Sequence, residues 1–157
     1  LRVLLSRTDA TEVLQHVAKH VGERDWQLFL TLAFAEVPAE EVAERTGLSL
    51  RKLRSILEGV LHVGMTVRAA HRALERGEPP TIATAAGCIP VKSAANRELV
   101  MKLAHNPGMT RSQLATATGL SVKSVHNRVP ELERLLRVAS EVLIDHDPAP
   151  KGTPTWA

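Results

Sequence analysis

Two short stretches of the chain each place cationic, amide and hydroxyl side chains on one side of a predicted helix. One stretch follows Ser49 and the other follows Ser121. Side chains of these types donate to phosphate oxygens and to the edges of base pairs, and one good bidentate contact discriminates between bases by about 1–3 kcal/mol. The predicted outward residues are Arg51, Lys52, Arg54 and Ser55 in the first stretch, and Lys123, Ser124, His126, Asn127 and Arg128 in the second.

Aliphatic residues recur at helical spacing on the other side of the same two stretches. Such a stripe packs a helix onto a protein core and leaves its polar side exposed. A serine precedes each stretch, and its hydroxyl is a common acceptor for the first backbone N–H groups of a helix. The predicted inward residues are Leu50, Leu53, Ile56 and Leu57 after Ser49, and Val122, Val125 and Val129 after Ser121.

The first half of the chain is predicted to be helical throughout. Apolar spacing predicts helices over residues 13–21 and 26–33, and a third over 39–45 that ends at Gly47. A fourth helix begins after Ser49, and Thr66 is predicted to cap a fifth that ends before Gly77.

The second half combines helices with a predicted β-hairpin. A helix over 94–105 is followed by the capping-box pattern Thr110-x-x-Gln113, a short helix ending at Gly119, and a helix capped by Ser121. Pro130 is predicted to end or kink that helix before it resumes over 132–136. The β-branched and aliphatic residues of 138–144, the turn residues of 147–152 and the segment 153–156 then predict strand, loop and strand.

A proline- and glycine-rich break separates the two halves. The sequence Gly77-Glu78-Pro79-Pro80 cannot continue a helix, and the residues up to about Ser93 show no amphipathic period. We therefore predict a helical domain over 1–77, a linker over 78–92 and a second domain over 93–157.

The chain contains an internal repeat with an offset of 72 residues. Residues 42–50, VAERTGLSL, align with residues 114–122, LATATGLSV, and five of the nine positions are identical. In both copies an alanine allows two helices to cross closely, a glycine supplies a left-handed turn residue, a leucine fills the core and a serine caps the next helix. Two copies are too few for a solenoid, so the repeat indicates one motif used twice.

This pattern, Ala-x-x-x-Gly-Leu-Ser between two short helices, resembles the helix-turn-helix DNA-binding motif. The first copy resembles region 4 of sigma factors and the LuxR-type response regulators, although no sigma region 2 is recognisable. The second copy, with its predicted hairpin, resembles a winged helix of the MarR or IclR kind, from which it departs at Pro130. The fold class expected is mainly α, with two helix-turn-helix units, the second a winged helix with a small C-terminal β-hairpin.

The resemblance implies a sequence-specific double-stranded DNA-binding protein, a transcriptional regulator that reads the major groove with two recognition helices. The distribution of charge supports a DNA partner. Residues 92–128 hold six basic residues and one acidic residue, whereas residues 38–58 hold equal numbers of each. Residues 131–147 have a net charge of −3, although the net charge of the whole chain is +3. With 3% aromatic residues and no tyrosine, stacking on single strands is not expected. The predicted DNA-binding set is completed by Ser49, Thr110, Arg111, Ser121 and Lys151, the last at the hairpin tip.

Two alternatives remain open. The acid-rich segment 40–44 favours a protein-interaction role for the first unit, by contact with RNA polymerase or by self-association, with DNA binding left to the second. The chain would also suit the DNA-recognition part of a larger recombinase or nuclease.

Other functions are not expected from the sequence. No catalytic motif is recognisable, so no enzyme activity and no cofactor are expected. His16 and His20 lie one helical turn apart but fall short of a four-coordinate metal site, and we expect them to be solvated; the single Cys88 is expected to be inert. No membrane span is recognisable, and a cytoplasmic, nucleoid-associated location is expected.

Overall fold

The computed structural model describes residues 10–145, and every regular element within this range is an α-helix. This confirms the mainly α prediction for the described part of the chain. The helices are α1 (Ala10–His20), α2 (Glu23–Ala33), α3 (Ala39–Thr46), α4 (Leu50–Glu75), α5 (Ile82–Gly87), α6 (Ala94–His105), α7 (Arg111–Thr118) and α8 (Val122–Asp145).

The chain divides into two compact units, Leu1–Arg68 and Ala69–Ala157. The division falls within α4, whereas the sequence places it at the turn residues that follow Gly77. The predicted break between α4 and a fifth helix is wrong, because Thr66 does not cap a helix. Its hydroxyl donates to the His62 carbonyl at 2.8 Å, and its side chain is fully buried inside one continuous helix.

The first unit packs α2, α3 and α4 around a small aliphatic core. Leu28 of α2, Val42 of α3 and Leu53 and Ile56 of α4 form a buried cluster. Burying aliphatic side chains of this size stabilises each by about 1.5–3 kcal/mol relative to exposure. This cluster fixes the angle between α3 and the start of α4, the two helices that flank the first repeated turn.

The segment predicted to be a linker, 78–92, contains helix α5. Thr81 caps it by accepting the Thr84 N–H at 3.2 Å, and the small residues Ala85 and Ala86 are buried where α5 packs on α6 and α8. The sequence did not predict this helix, because its alanines do not form a pattern of alternating apolar and polar sides. The segment is therefore not an irregular linker throughout.

Arg97 of α6 holds the end of α5 in place. Its Nη1 donates to the Ala86 carbonyl at 2.7 Å, and its Nη2 donates to the Ile89 carbonyl at 2.8 Å. The Ile89 carbonyl lies just beyond the end of α5, where the helix no longer supplies backbone donors. The Ala86 carbonyl, in the last turn, also accepts the Ile89 N–H at 3.3 Å. One planar guanidinium therefore satisfies two acceptors across the α5–α6 connection.

Helices α6, α7 and α8 form the remaining core of the second unit. α6 packs on both α7 and α8, and α7 packs on α8. The buried aliphatic positions of the three helices form one apolar interior. They are Leu99 and Val100 of α6, Leu114 and Ala115 of α7, and Val125, Val129, Leu132, Leu135, Val138, Ala139, Val142 and Leu143 of α8.

Helix α8 continues through Pro130 and through the segment predicted to be a strand. Pro130 is exposed, and the buried positions Val129 and Leu132 keep the same helical register on either side of it. Burial of Val138 and Val142, one turn apart, favours a helix over the strand that their β-branched shape predicts. The first strand of the expected hairpin is thus wrong, and its remaining parts, including Lys151, lie outside the described residues.

Cys88, just after α5, is buried, and its thiol donates to the Thr84 carbonyl at 3.2 Å. Burial, followed by the nearby Glu78 carboxylate, raises the pKa of this thiol from 9.0 to about 11. We expect Cys88 to react with a disulfide reagent at pH 8 far more slowly in the native protein than in urea, because the thiolate is the reactive form. A native rate equal to the unfolded rate would contradict the burial.

The same pKa shift has a consequence for stability. Between pH 9.0 and about 11 the unfolded thiol loses its proton while the folded thiol keeps it, so the free energy of unfolding falls as pH rises through this window. Replacing Cys88 by Ala removes this contribution and serves as the control in urea titrations at pH 8 and 10.

Two further findings concern ligands and membranes. Within 10–145, no group of three or more His, Cys, Asp or Glu residues is arranged to hold a metal ion. His16 and His20 are half-buried, not solvated as expected. None of the helices described is long and apolar enough to cross a membrane.

Candidate nucleic-acid interface

The two copies of the sequence repeat form turns with the same geometry. Gly47 and Gly119 end α3 and α7 with φ of 73° and 74°, in the left-handed region that favours glycine. In each turn the glycine N–H donates to the alanine carbonyl four residues earlier, Ala43 or Ala115, at 2.9 Å. The repeat therefore encodes the same corner, a short helix, a left-handed turn and a second helix, in both copies.

The repeated threonine has a role that the sequence did not reveal. Thr46 Oγ1 donates to the Val42 carbonyl at 2.7 Å and accepts the Leu48 N–H at 3.3 Å. Thr118 makes the equivalent bonds, at 2.8 Å to the Leu114 carbonyl and at 3.3 Å from the Leu120 N–H. Each threonine joins the end of one helix to the turn, and its identity in both copies is the signal that could have indicated this.

Hydroxyl groups cap the helices that follow each turn. Ser49 Oγ accepts the Lys52 N–H at 3.1 Å, and Ser121 Oγ accepts the Ser124 N–H at the same distance. The Ser121 and Ser124 hydroxyls also bond to each other at 3.0 Å, and Ser124 is half-buried. Ser49, Ser121 and Ser124 thus have structural partners in addition to any contact with DNA.

Thr110 forms the predicted capping box at the start of α7. Its Oγ1 accepts the Gln113 N–H at 3.2 Å, and its own N–H donates to Gln113 Oε1 at 2.9 Å. Neighbouring Arg111 is half-buried and lies 4.0 Å from the Glu133 carboxylate of α8. This pairing is long and partly exposed, so it leaves Arg111 free to turn toward a phosphate at little cost.

The first two turns of α8 carry an exposed polar surface. The side chains of Lys123, His126, Asn127 and Arg128 are exposed, and none makes a hydrogen bond or ion pair within the described part of the chain. Val125 and Val129 between them are fully buried, as predicted. The burial of these two valines presents the four polar side chains to solvent, with no competing partner among residues 10–145.

The first turns of α4 repeat this arrangement. Arg51, Lys52, Arg54 and Ser55 are exposed, and their side chains have no hydrogen bond or ion pair among residues 10–145. Counting from the first helical residue, Arg51, Lys52 and Arg54 occupy the positions of Lys123, Ser124 and His126. The structure thus brings the predicted outward residues together separately in each corner.

Two residues predicted to face inward are exposed instead. Leu50 and Val122, the first residues of α4 and α8, are 47% and 50% exposed. They lie ahead of the first buried position of each helix, Leu53 or Val125, at an end that the described residues leave exposed. Helical spacing gives the side of the helix on which a residue lies, but not whether another part of the protein packs on that turn. This is why the two residues were predicted to be buried.

The basic surface of the second unit is smaller than its sequence suggests. Of the bases in 92–128, Arg97 bonds to two carbonyls and Lys102 pairs with Glu98 at 3.7 Å. Lys123 and Arg128 have no ion-pair partner among the described residues and lie on the exposed face of α8. Lys151 lies outside the described residues and stays a predicted phosphate contact.

Replacing Gly119 by Ala tests the second turn. No atom lies within 4 Å of the added Cβ, so the cost comes from the backbone, whose φ of +74° an alanine rarely adopts. We expect the free energy of unfolding to fall by about 1–2 kcal/mol in urea titration. Gly108→Ala, which has open space and no positive φ, is the control and should change it by less than about 0.5 kcal/mol. Equal effects of the two substitutions would contradict the left-handed turn.

Comparison with known proteins finds one family similar to the second corner. A family described as winged helix-turn-helix DNA-binding matches residues 103–135, which run from the end of α6 through α7 to Leu135 of α8. No curated protein and no solved structure shows significant similarity to the chain. The matched segment contains the repeated turn and the exposed face of α8, and it supports a helix-turn-helix DNA-binding protein.

Proposed function

We propose that this protein is a sequence-specific double-stranded DNA-binding regulator of transcription that inserts the first turns of α8 into the major groove. The observation that carries the proposal is a set of exposed side chains inside the segment that matches a DNA-binding family, Lys123, Asn127 and Arg128, none of which has a side-chain partner in the described range. The major groove admits an α-helix, and helix-turn-helix proteins place the N-terminal residues of their second helix against base edges.

The chemistry of α8 suits both parts of DNA recognition. Arg128 can bond guanine bidentately and Asn127 can bond adenine in the same way, whereas Lys123 reaches either a phosphate or a base edge. Phosphate contacts supply affinity, and base contacts supply preference among sequences.

The first corner is proposed to read a second site. The start of α4 carries three exposed cations without an ion pair to any described residue: Arg51, Lys52 and Arg54. They occupy the positions that Lys123, Ser124 and His126 hold on α8. Because the two helices carry different side chains, the target would consist of two unlike half-sites and need not be a palindrome. A footprint shorter than about 10 base pairs would indicate that only one corner binds.

The test uses the full chain and duplexes selected from a random pool. We expect a preferred sequence to emerge and, with about five phosphates neutralised, a slope of log affinity against log salt of about −4 to −5. Arg128→Ala and Arg51→Ala should each relax the base preference at a different part of the selected site. A slope near zero would contradict the proposal.

A second candidate role applies to the first unit alone. Phe29, Leu32 and Ala33 of α2 and Leu57 and Leu61 of α4 line an apolar groove of about 230 Å³. A protein partner, RNA polymerase or a second copy of the chain, would cover these side chains while only α8 binds DNA. Arg51→Ala would then leave the selected DNA sequence unchanged, whereas Leu61→Glu would abolish self-association in sedimentation or binding to purified RNA polymerase.

A further inference from the structure

The first residue of each second helix is an exposed aliphatic side chain in both helix-turn-helix corners. Val122 is 50% exposed at the start of α8, and Leu50 is 47% exposed at the start of α4. Only seven large hydrophobic side chains are exposed within residues 10–145, and two of them occupy this one equivalent position. The repeat therefore preserves an apolar group in the same exposed place.

Local folding does not account for these two side chains. The serine caps, Ser49 and Ser121, already satisfy the start of each helix, and the first buried residue comes three positions later. An aliphatic side chain left half in water contributes less burial than one in the core, and a polar residue would cap or solvate the helix start as well. The exposed isopropyl group of Val122 is thus available to a ligand.

The surroundings of Val122 indicate which ligand group it meets. Lys123 follows it directly, and His126 and Asn127 lie on the next turn, all exposed and without side-chain partners in the described range. In the major groove, thymine alone among the four bases presents a methyl group, and apolar side chains contact it there. A valine at the tip of a helix otherwise lined by donors fits this group.

We propose that Val122 is a specificity-determining residue that packs against the C5 methyl of a thymine in the DNA target. The inference rests on the proposed function, because it assumes that α8 enters the major groove. The polar residues of α8 contact the hydrogen-bonding groups of the bases, and Val122 contacts the thymine methyl, the apolar group of the major groove.

The experiment removes the methyl group from the DNA and the isopropyl group from the protein. Each thymine of the selected duplex is replaced in turn by uracil, which keeps every hydrogen-bonding group of the base pair and lacks only the C5 methyl. Affinities of the full chain are measured by fluorescence anisotropy for the unchanged protein, Val122→Ser, Val122→Thr and Ile82→Ser. Ile82 is the matched control, since it is a 57% exposed aliphatic residue at the start of α5, outside both corners.

We expect one uracil position to weaken binding of the unchanged protein by about fourfold, the value for one buried methyl group. Val122→Ser should bind the thymine and uracil duplexes equally, Val122→Thr should keep part of the difference through its remaining methyl group, and Ile82→Ser should keep all of it. Thermal unfolding of Val122→Ser should match the unchanged protein, because the side chain is exposed.

The outcomes separate this inference from the proposed function. Selective DNA binding that no uracil position weakens, or a uracil effect that survives in Val122→Ser, overturns the role of Val122 alone. Failure of the full chain to select any duplex sequence overturns both.

Discussion

Reversing two charges at the start of α8, with Lys123→Glu and Arg128→Glu in one chain, should weaken binding to the selected duplex by at least about 100-fold. Each contact contributes about 1–3 kcal/mol, so the loss of two contacts by itself corresponds to about 30-fold or more. The new carboxylates add repulsion from the phosphates. Both residues are exposed and have no ion-pair partner within the described chain, so the folded structure loses no bond.

The matched control for this variant is Arg137→Glu. Arg137 is exposed on the same helix but lies beyond the segment that matches the DNA-binding family, and it likewise has no ion pair in the part of the chain described. We expect its affinity to change by less than about threefold, the effect of a distant surface charge screened by salt. A loss of binding free energy in Arg137→Glu about half that of the double variant, in proportion to the charge changed, would show that affinity follows net charge and not the face of α8.

Replacing Arg97 by Ala should lower the free energy of unfolding by about 2–4 kcal/mol, measured by urea titration. Its guanidinium donates to the Ala86 and Ile89 carbonyls, and a hydrogen bond to a charged group contributes about 1.5–3 kcal/mol net of exchange with water. The expected loss lies toward the lower end of the sum for two bonds, because the Ala86 carbonyl keeps the Ile89 N–H. Arg97→Lys should recover only part of the stability, because an ammonium group does not match the planar geometry of two separate acceptors.

Lys102→Ala on the same helix is the control for Arg97. Lys102 pairs with Glu98 at 3.7 Å in an exposed i, i+4 arrangement, which contributes about 0.3–0.5 kcal/mol. The two substitutions remove the same formal charge from α6 and differ in what the charge contacts. If Arg97→Ala destabilised the protein no more than Lys102→Ala, α5 would not depend on α6 for its position.

The predictions that succeeded rest on local signals. The capping box of Thr110 and Gln113, the left-handed glycines and the serine caps all formed as predicted, and α3 and α6 end within one residue of their predicted limits. Each of these features depends on residues within one or two helical turns. Short-range hydrogen bonds and backbone preferences decide them without help from the rest of the fold.

The predictions that failed depended on long-range packing. Thr66 is a plausible cap by residue type, yet it lies buried inside α4, and the β-branched residues Val138 and Val142 are held in a helix by burial on one face. Helix α5 lacks an amphipathic pattern, and its position depends on Arg97 of another helix. Tertiary contacts outweighed local propensity at these places because burial contributes more per residue than propensity does.

The sequence by itself determined that this chain repeats the same turn between two helices and which polar residues follow each turn. The tertiary structure alone decided which of those residues are available to DNA. In the folded protein Arg97 bonds to two backbone carbonyls, whereas Val122 is exposed. Availability depends on which neighbouring helices cover or bind a side chain. Helical spacing fixes the direction of a side chain relative to its own axis, whereas exposure is set by the packing of residues distant in sequence.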